Sequence, residues 1–273
     1  MEMYPENRLE YITNKITTSK YVSVEKLGQA LNVSGETIRR DLKLLEEKGI
    51  LKRTHGGAYL EGSTQSDVSI QVRKNILLAN KEQIAVLCSR FVQPDDTVFL
   101  DSSTTSFEIA KNITQMPITV ITHSLPIISY LSNYRNIRLM ALGGVLDHVN
   151  MCFTGKIALE SMLDLYARRG FVSCRTVSMR YGVMDSNEQI GQIRSAALKN
   201  CNKRYLIADH TKFGNTSMHK IAGLDSYDVI VTDKRLSDKW MEYFEQCEIP
   251  VHYPEGVTYS KTPLDPDNTD ESL

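Results

Sequence analysis

The stretch VFLDSSTTSFEIAKNI, residues 98–113, leads from an apolar run through hydroxyl side chains into the start of a helix. Hydroxyl groups and free amides at a helix N-terminus can bind a phosphate group. Polar residues also follow apolar runs at 122–124, 143–144 and 209–212. Plain helix capping and a solvent-facing lysine are alternatives that the residues leave open. We predict an anion pocket formed by Asp101, Ser102, Ser103, Thr104, Thr105, His123, Gly143, Gly144, Asp209 and Lys212.

A second stretch, SGETIRRDLKLLEEKG at residues 34–49, carries hydroxyl and basic side chains at the start of a predicted helix. Arginine can pair with guanine, and hydroxyl groups can bond to bases or phosphates. The following ILKRTHGGAY, residues 50–59, predicts a two-stranded wing with a basic tip. An ordinary amphipathic surface helix is the alternative. The predicted DNA contacts are Ser34, Glu36, Thr37, Arg39, Arg40, Lys43, Lys52, Arg53 and His55.

Three predicted helices position these DNA contacts. Apolar residues recur at helical spacing within residues 8–20, 23–31 and 34–48. Ser23 and Ser34 can cap the second and third helices. Two short helices joined by a tight turn and followed by a wing are typical of a winged helix-turn-helix.

The rest of the chain alternates between short apolar runs and helical patterns, such as ITVIT followed by LPIISYLS. This alternation favours an α/β fold with a mostly parallel sheet that is buried on both faces. Ligands of such sheets bind beyond the carboxyl ends of the strands. We therefore predict a DNA-binding domain at 1–59, a linker and connecting helix at 60–80, an α/β domain at 81–253 and a disordered acidic tail at 254–273.

Composition limits the possible classes of protein. The chain has 273 residues and a net charge of −1, so any nucleic-acid surface must be local. Its five cysteines are scattered singly, which favours reduced thiols over a disulfide framework or a zinc site. No secretory signal or membrane span is evident. We expect a cytoplasmic protein with no cofactor, no metal and no membrane partner.

The segment LNVSGETIRRDLKLLEEKGILKRTHGGAY, residues 31–59, closely resembles the N-terminal domain of DeoR-family bacterial transcription regulators. FLDSSTT, VITHS and ADHTKFG resemble motifs of that family's sensor domain, which has a ribose-5-phosphate isomerase-like fold. The resemblance implies a winged helix-turn-helix that binds double-stranded operator DNA, usually as a repressor. It also implies a phosphorylated sugar as effector and a homo-oligomer, either a dimer or a tetramer.

Several residues depart from the family pattern. Ser103 replaces a glycine, His123 replaces an asparagine, and Thr176 stands where the family has another glycine. Arg168 stands where an aspartate is expected, and we include it among the predicted effector contacts. A more anionic ligand, loss of the sugar site, or an alignment slip near Arg168 could each explain these departures.

Three functions follow from these observations. The leading one is a sequence-specific regulator, expected to repress a carbohydrate operon in response to a phosphorylated sugar. The second is a ligand-blind regulator whose larger domain serves only oligomerisation. The third, an isomerase-like enzyme, is disfavoured because arginine at position 168 cannot act as a general base.

Overall fold

The computed structural model describes residues 4–19, 21–48, 50–54, 56–60, 70–74 and 77–258. Its first part contains α1 (Pro5–Ser19), β1 (Tyr21–Ser23), α2 (Val24–Leu31), α3 (Gly35–Glu47), β2 (Leu51–Thr54) and β3 (Gly57–Leu60). The strands form an antiparallel sheet in the order β1–β3–β2. The three predicted helices and the wing are confirmed. The short strand β1 was not predicted.

Apolar spacing and capping explain the helices of this winged-helix part. Its core consists of Ile12, Ile16, Val22, Val24, Leu27, Leu31, Ile38, Leu42, Leu45, Leu51 and Ala58. The Ser23 hydroxyl accepts the Lys26 amide at 3.1 Å, and the Ser34 hydroxyl accepts the Thr37 amide at 3.2 Å. Asn32 ends α2 in the left-handed region, with φ 50°. The tight turn between α2 and α3 therefore follows from local sequence.

The later helices are α4 (Ile70–Arg73), α5 (Leu78–Ser89), α6 (Thr104–Asn112), α7 (Leu125–Leu131), α8 (Lys156–Leu163), α9 (Glu188–Lys199) and α10 (Asp238–Gln246). The later strands are β4 (Thr97–Leu100), β5 (Ile118–Thr122), β6 (Ile137–Ala141), β7 (Val145–Asp147), β8 (Cys152–Thr154), β9 (Ala167–Val172), β10 (Thr176–Ser178), β11 (Gly182–Asp185), β12 (Cys201–Ile207), β13 (His219–Ala222), β14 (Val229–Val231), β15 (Val251–Tyr253) and β16 (Gly256–Thr258).

The main sheet of this α/β part has eight strands in the order β16–β15–β14–β12–β9–β4–β5–β6. Every neighbouring pair from β15 to β6 is parallel, and only β16 runs antiparallel to its neighbour. The carboxyl ends of the parallel strands therefore meet at one edge of the sheet. The predicted α/β fold with a mostly parallel sheet is confirmed.

Both faces of the sheet are buried. Successive side chains of a strand point to opposite faces, so neighbouring residues of β4 report on one face each. Val98 and Leu100 belong to a cluster that includes Ile109 of α6. Phe99 belongs to a second cluster that includes Ile193 of α9. Continuous apolar runs of this kind are typical of strands covered by helices on both sides.

Two expectations about the chain's organisation need correction. The sequence pattern also predicts one helix from about residue 71 to residue 91, but α4 and α5 are separate and Leu77 between them has φ 51°. The disordered tail was predicted to begin at residue 254, but residues 254–258 form a turn and strand β16, which pairs with β15. Residues 61–69 and 259–273 lie outside the described residues. The antiparallel sheet β10–β11–β13 and the pair β7–β8 were not predicted.

Within the described ranges, no helix combines the length and the apolar character that a bilayer crossing requires.

Candidate functional site

Helix α3 presents one polar face to solvent. Glu36, Arg39, Arg40 and Lys43 are exposed, while Ile38 is buried on the opposite face. This division follows from the helical period, which places polar positions together. The polar face is the one that the sequence predicted to contact DNA.

The charges on this face are only loosely held. Arg39 lies 3.4 Å from Glu36, and Lys43 lies 3.9 Å from Glu47, with all four side chains more than half exposed. Exposed pairs of this kind contribute little stability. Arg40 has no ion pair or side-chain hydrogen bond with any residue that the structure describes. The basic groups of α3 can therefore reorient toward a partner at small cost.

A buried ion pair that the sequence analysis missed fixes α3 against α1. Arg8 of α1 donates from Nε to Asp41 Oδ2 at 2.5 Å and from Nη2 to Oδ1 at 3.0 Å. The side chains are only 10% and 6% exposed. Such a paired arrangement sets orientation, and removing one partner leaves a buried charge. The available signal was an aspartate inside the apolar stripe of α3.

The wing is tied to the end of α3 through Arg53. The Arg53 amide donates to Glu46 Oε1 at 2.8 Å, and its Nε donates to Oε2 at 2.6 Å. The backbone hydrogen bond lowers the pKa of Glu46. Lys52 is exposed, whereas His55 lies outside the described residues. Of the predicted wing contacts, Lys52 is therefore exposed, and Arg53 is bound to Glu46.

Gly57 at the start of β3 is required by a close approach. A Cβ built there would lie 2.0 Å from the Val22 carbonyl oxygen and 2.6 Å from the Tyr21 hydroxyl. No side chain fits that space, so glycine permits β1 to pair with the wing.

In the α/β part, Asp101 lies directly beyond β4 and is fully buried. Its Oδ1 accepts the Ser103 amide at 3.0 Å and the Ser106 hydroxyl at 2.6 Å. Its Oδ2 accepts the Ser173 amide at 2.8 Å and Arg194 Nε at 2.7 Å. Burial alone would raise the pKa of Asp101, but Arg194 and these hydrogen bonds outweigh it and lower the pKa to about 2. Asp101 therefore organises the loop as a permanent carboxylate.

Arg194 of α9 is a second residue that the sequence analysis missed. It bridges Asp101 and Asp185, donating Nη1 to the latter in a very short contact, and its side chain is 6% exposed. The charge pair links the loop after β4 to the end of β11. An arginine among the buried positions Ile190, Ile193 and Ala197 was the signal in the sequence.

The N-terminus of α6 carries hydroxyl side chains directly beyond the end of β4. The Ser103 hydroxyl accepts the Ser106 amide at 3.0 Å and donates to the Ser106 hydroxyl at 3.0 Å. The side chain that replaces a glycine in the family pattern is thus turned back into the helix. The amides of Thr104 and Thr105 have no acceptor inside a helix at these positions. Ser102, Thr104 and Thr105 are buried.

Lys212 is brought to the same edge of the sheet. Its Nζ donates to the Cys174 carbonyl at 2.7 Å and to the Ser173 hydroxyl at 3.3 Å. Ser173 also contacts Asp101, so Lys212 lies one residue away from the loop after β4. Asp209 accepts the Thr211 amide at 3.1 Å and caps the short helix that carries Lys212.

His123, directly beyond β5, is fully buried. Its Nδ1 lies 2.9 Å from the Phe153 carbonyl oxygen, and its ring stacks on Phe99 with centroids 6.4 Å apart. Burial lowers the pKa of His123 to about 4. His123 and Asp101 directly follow the paired residues Thr122 and Leu100, so both lie at the carboxyl edge of neighbouring strands, where Arg194 binds Asp101.

Of the remaining predicted effector contacts, Gly143 and Gly144 follow a strand as expected, whereas Arg168 does not. Gly143 and Gly144 follow β6, two strands from β4, and a Cβ on Gly144 would approach the Thr154 carbonyl to 2.5 Å. Gly144 therefore has a structural reason to be glycine. Arg168 does not follow a strand end, because β9 begins at Ala167 and Arg168 lies 3.7 Å from Asp96 at the opposite, amino edge. The expectation that Arg168 belongs to the pocket is wrong.

Comparisons with known proteins agree with both parts of the chain. Residues 8–64 match the DeoR-like helix-turn-helix domain, and residues 77–234 match the DeoR C terminal sensor domain. The chain is 31% identical to the L-fucose operon activator of Haemophilus influenzae, covering 89% of this chain and 97% of that protein. It is 30% identical to the lactose phosphotransferase system repressor of Lactococcus lactis, again covering 89% and 97%. The sorbitol operon regulator SorC of Klebsiella pneumoniae aligns with a TM-score of 0.32 at 14% identity, over 74% of this chain and 89% of that one.

Proposed function

Because this chain belongs to the DeoR family of transcriptional regulators, we propose that α3 and the β2–β3 wing bind operator DNA and that a phosphorylated sugar controls this binding. One observation carries the proposal. The chain combines helix α3, which exposes basic side chains, with a hydroxyl-rich loop before α6 at the carboxyl edge of a parallel sheet. Each is a suitable site for its ligand on physical grounds.

Exposed polar side chains on α3 support its proposed role in DNA binding. Arg39, Arg40 and Lys43 are exposed on one side, and Ser34 and Thr37 place hydroxyl groups at the N-terminus. In helix-turn-helix proteins the N-terminal residues of the second helix approach base edges in the major groove. The Arg8–Asp41 pair holds α3 against α1, which supports a fixed presentation of this face.

The effector site is supported by three groups that converge on the loop after β4. The first-turn amides of Thr104 and Thr105 can bind phosphate oxygens, and the Lys212 ammonium lies nearby through Ser173. Asp101 and Arg194 hold the loop in place without needing to contact the ligand. The phosphoryl group of the effector would bind at this helix N-terminus.

The regulated genes are expected to serve carbohydrate uptake or metabolism. Relatives include an L-fucose operon activator and a lactose phosphotransferase system repressor. We propose repression as the mode of action, and a homo-oligomer as the form that reads paired half-sites.

The site favours regulation over isomerase chemistry. A general base must take up a proton near neutral pH, but the pKa of Asp101 is lowered to about 2. Asp209 accepts hydrogen bonds from both the amide and the hydroxyl of Thr211. Both carboxylates at the strand ends thus have structural roles, which supports a protein that binds its ligand without converting it.

A footprinting experiment on DNA upstream of neighbouring operons tests the DNA-binding proposal. Arg40→Ala is expected to weaken specific binding by roughly fivefold to 150-fold, as loss of a base contact does. Lys239→Ala, which removes an exposed lysine of α10, is the matched control. Equal protection by wild type and Arg40→Ala would show that α3 is not the reading helix.

Sugar phosphates added to the same footprint test the effector proposal. A ligand that binds only the folded state raises stability by about 2.7 kcal/mol at a hundredfold excess over its dissociation constant. Unfolding followed by the fluorescence of Trp240 therefore detects binding independently of any change in protection. A regulator blind to ligands would bind DNA specifically and show no shift with any phosphorylated sugar.

A further inference from the structure

The backbone and the imidazole of His123 each make one hydrogen bond to Phe153. The Phe153 amide donates to the His123 carbonyl at 2.8 Å, and His123 Nδ1 lies 2.9 Å from the Phe153 carbonyl oxygen. A carbonyl oxygen can only accept, so Nδ1 must carry the hydrogen. The opposite ring atom, Nε2, then carries a lone pair and is a hydrogen-bond acceptor in the neutral ring.

Nε2 has no donor among the residues that the structure describes, although it is fully buried. The neighbouring Ser124 hydroxyl is also buried and without a partner in that part of the chain. Native proteins rarely leave such groups unsatisfied, and an unmet group inside a candidate binding site indicates a ligand group that completes it. The turn after β5 therefore offers an acceptor, with a hydroxyl beside it.

The chemistry of the two ends of a sugar phosphate decides which end meets His123. Phosphate oxygens of a largely ionised phosphate accept hydrogen bonds and cannot satisfy a lone pair on Nε2. A sugar hydroxyl can donate to it. Leu100 of β4 pairs with Thr122 of the parallel strand β5, so Asp101 and His123 directly follow neighbouring strands, which places His123 beside the loop that would hold the phosphoryl group.

We propose that His123 Nε2 accepts a hydrogen bond from a hydroxyl of the effector and thereby selects a polyhydroxylated ligand over a bare phosphate. This inference rests on the proposed sugar-phosphate site. It divides that site in two: the N-terminus of α6 binds the phosphoryl group, and the turn at residues 122–124 recognises the sugar. His123 is then a specificity-determining residue.

Titration calorimetry with inorganic phosphate, hexose 6-phosphates, pentose 5-phosphates and the monodeoxy analogues of the tightest binder tests this division. In wild type, loss of the recognised hydroxyl is expected to weaken binding tenfold to a hundredfold, roughly the effect of leaving a buried polar group unpaired. In His123→Phe the same analogue and its parent should bind within about threefold of each other. His123→Asn, whose amide oxygen can still accept, should keep part of the preference.

Each other outcome overturns a defined part of the proposal. If His123→Phe discriminates the deoxy analogue as wild type does, the His123 assignment fails while the sugar-phosphate site stands. If both variants lose inorganic phosphate and sugar phosphate equally, His123 supports the loop and reads no hydroxyl. If wild type binds none of the probes, the effector proposal and this inference fail together. Circular dichroism and the Trp240 unfolding midpoint confirm that the variants fold, and if His123→Phe is unstable, His123→Leu, which also lacks an acceptor, takes its place in the comparison.

Discussion

Lowering the pH from about 7.5 to about 5 is expected to destabilise the α/β part of the chain through His123. Burial lowers the pKa of this histidine to about 4, whereas an unfolded histidine titrates near about 6.5. Between these values the unfolded chain binds a proton that the folded chain excludes. Stability that is fully present above about pH 6.5 is therefore lost as the pH falls toward about 4. The difference between these pKa values corresponds to about 3 kcal/mol overall, of which about 2 kcal/mol is lost by about pH 5.

The single tryptophan makes the assay specific for this part of the chain. Trp240 on α10 packs with ring centroids 5.2 Å from Phe213 and 5.7 Å from Phe244. Its fluorescence follows unfolding of the α/β part whatever the winged-helix part does, which matters because a two-domain chain need not unfold in one step. Urea titrations across the pH range, on wild type and His123→Asn, give two curves of unfolding free energy against pH.

The two proteins are compared by how steeply the unfolding free energy changes with pH, and not by its absolute value. His123→Asn removes the titrating group and adds a cavity whose cost does not change with pH. Burial also lowers the pKa of His252, but this residue is present in both proteins, so its contribution is absent from the difference between the two curves. Asp101, whose pKa is about 2, titrates below the window. Parallel curves for the two proteins would refute the conclusion that His123 is a buried neutral imidazole.

Three further substitutions test other contacts. Asp41→Leu leaves Arg8 buried without its partner and should destabilise the winged-helix part by about 3–5 kcal/mol, seen as faster amide exchange in α1. Gly57→Ala puts a Cβ 2.0 Å from a carbonyl oxygen of β1, so operator affinity should fall in a footprint while the Trp240 unfolding midpoint is unchanged. Asp101→Asn removes a carboxylate whose pKa is lowered to about 2 and should lower the unfolding free energy at neutral pH by about 2 kcal/mol or more, measured in urea by the Trp240 signal.

Local patterns were sufficient to predict most of the architecture. The apolar stripes of α2 and α3, bounded by Ser23 and Ser34, encode two helices and the turn between them within about 25 residues. The parallel strands were recognisable because both of their faces are buried, so that runs such as ITVIT are apolar almost throughout. These signals depend only on residues close together in sequence.

Features that depend on distant residues were not predictable in the same way. Arg194 is 93 residues from Asp101, and Arg8 is 33 residues from Asp41, so a charged residue inside an apolar stripe can mark one member of each pair but cannot identify its partner. Strand β1 has three residues, too few to show an alternation. Arg168 was misplaced because its edge of the sheet depends on where β9 begins, and strand boundaries are poorly marked in sequence.

The engagement of Arg53 by Glu46 has a consequence for how binding responds to salt. Each cation that neutralises a DNA phosphate releases condensed counterions and adds about 0.9 to the slope of log affinity against log salt. Arg53 can contact a phosphate through its Nη groups while its Nε and its amide stay bound to Glu46. The Glu46 carboxylate would then lie beside that contact and offset part of the positive charge of Arg53. The wing arginine would then contribute less to the salt dependence than a cation with no carboxylate beside it, and more to fixing the angle at which the wing leaves α3.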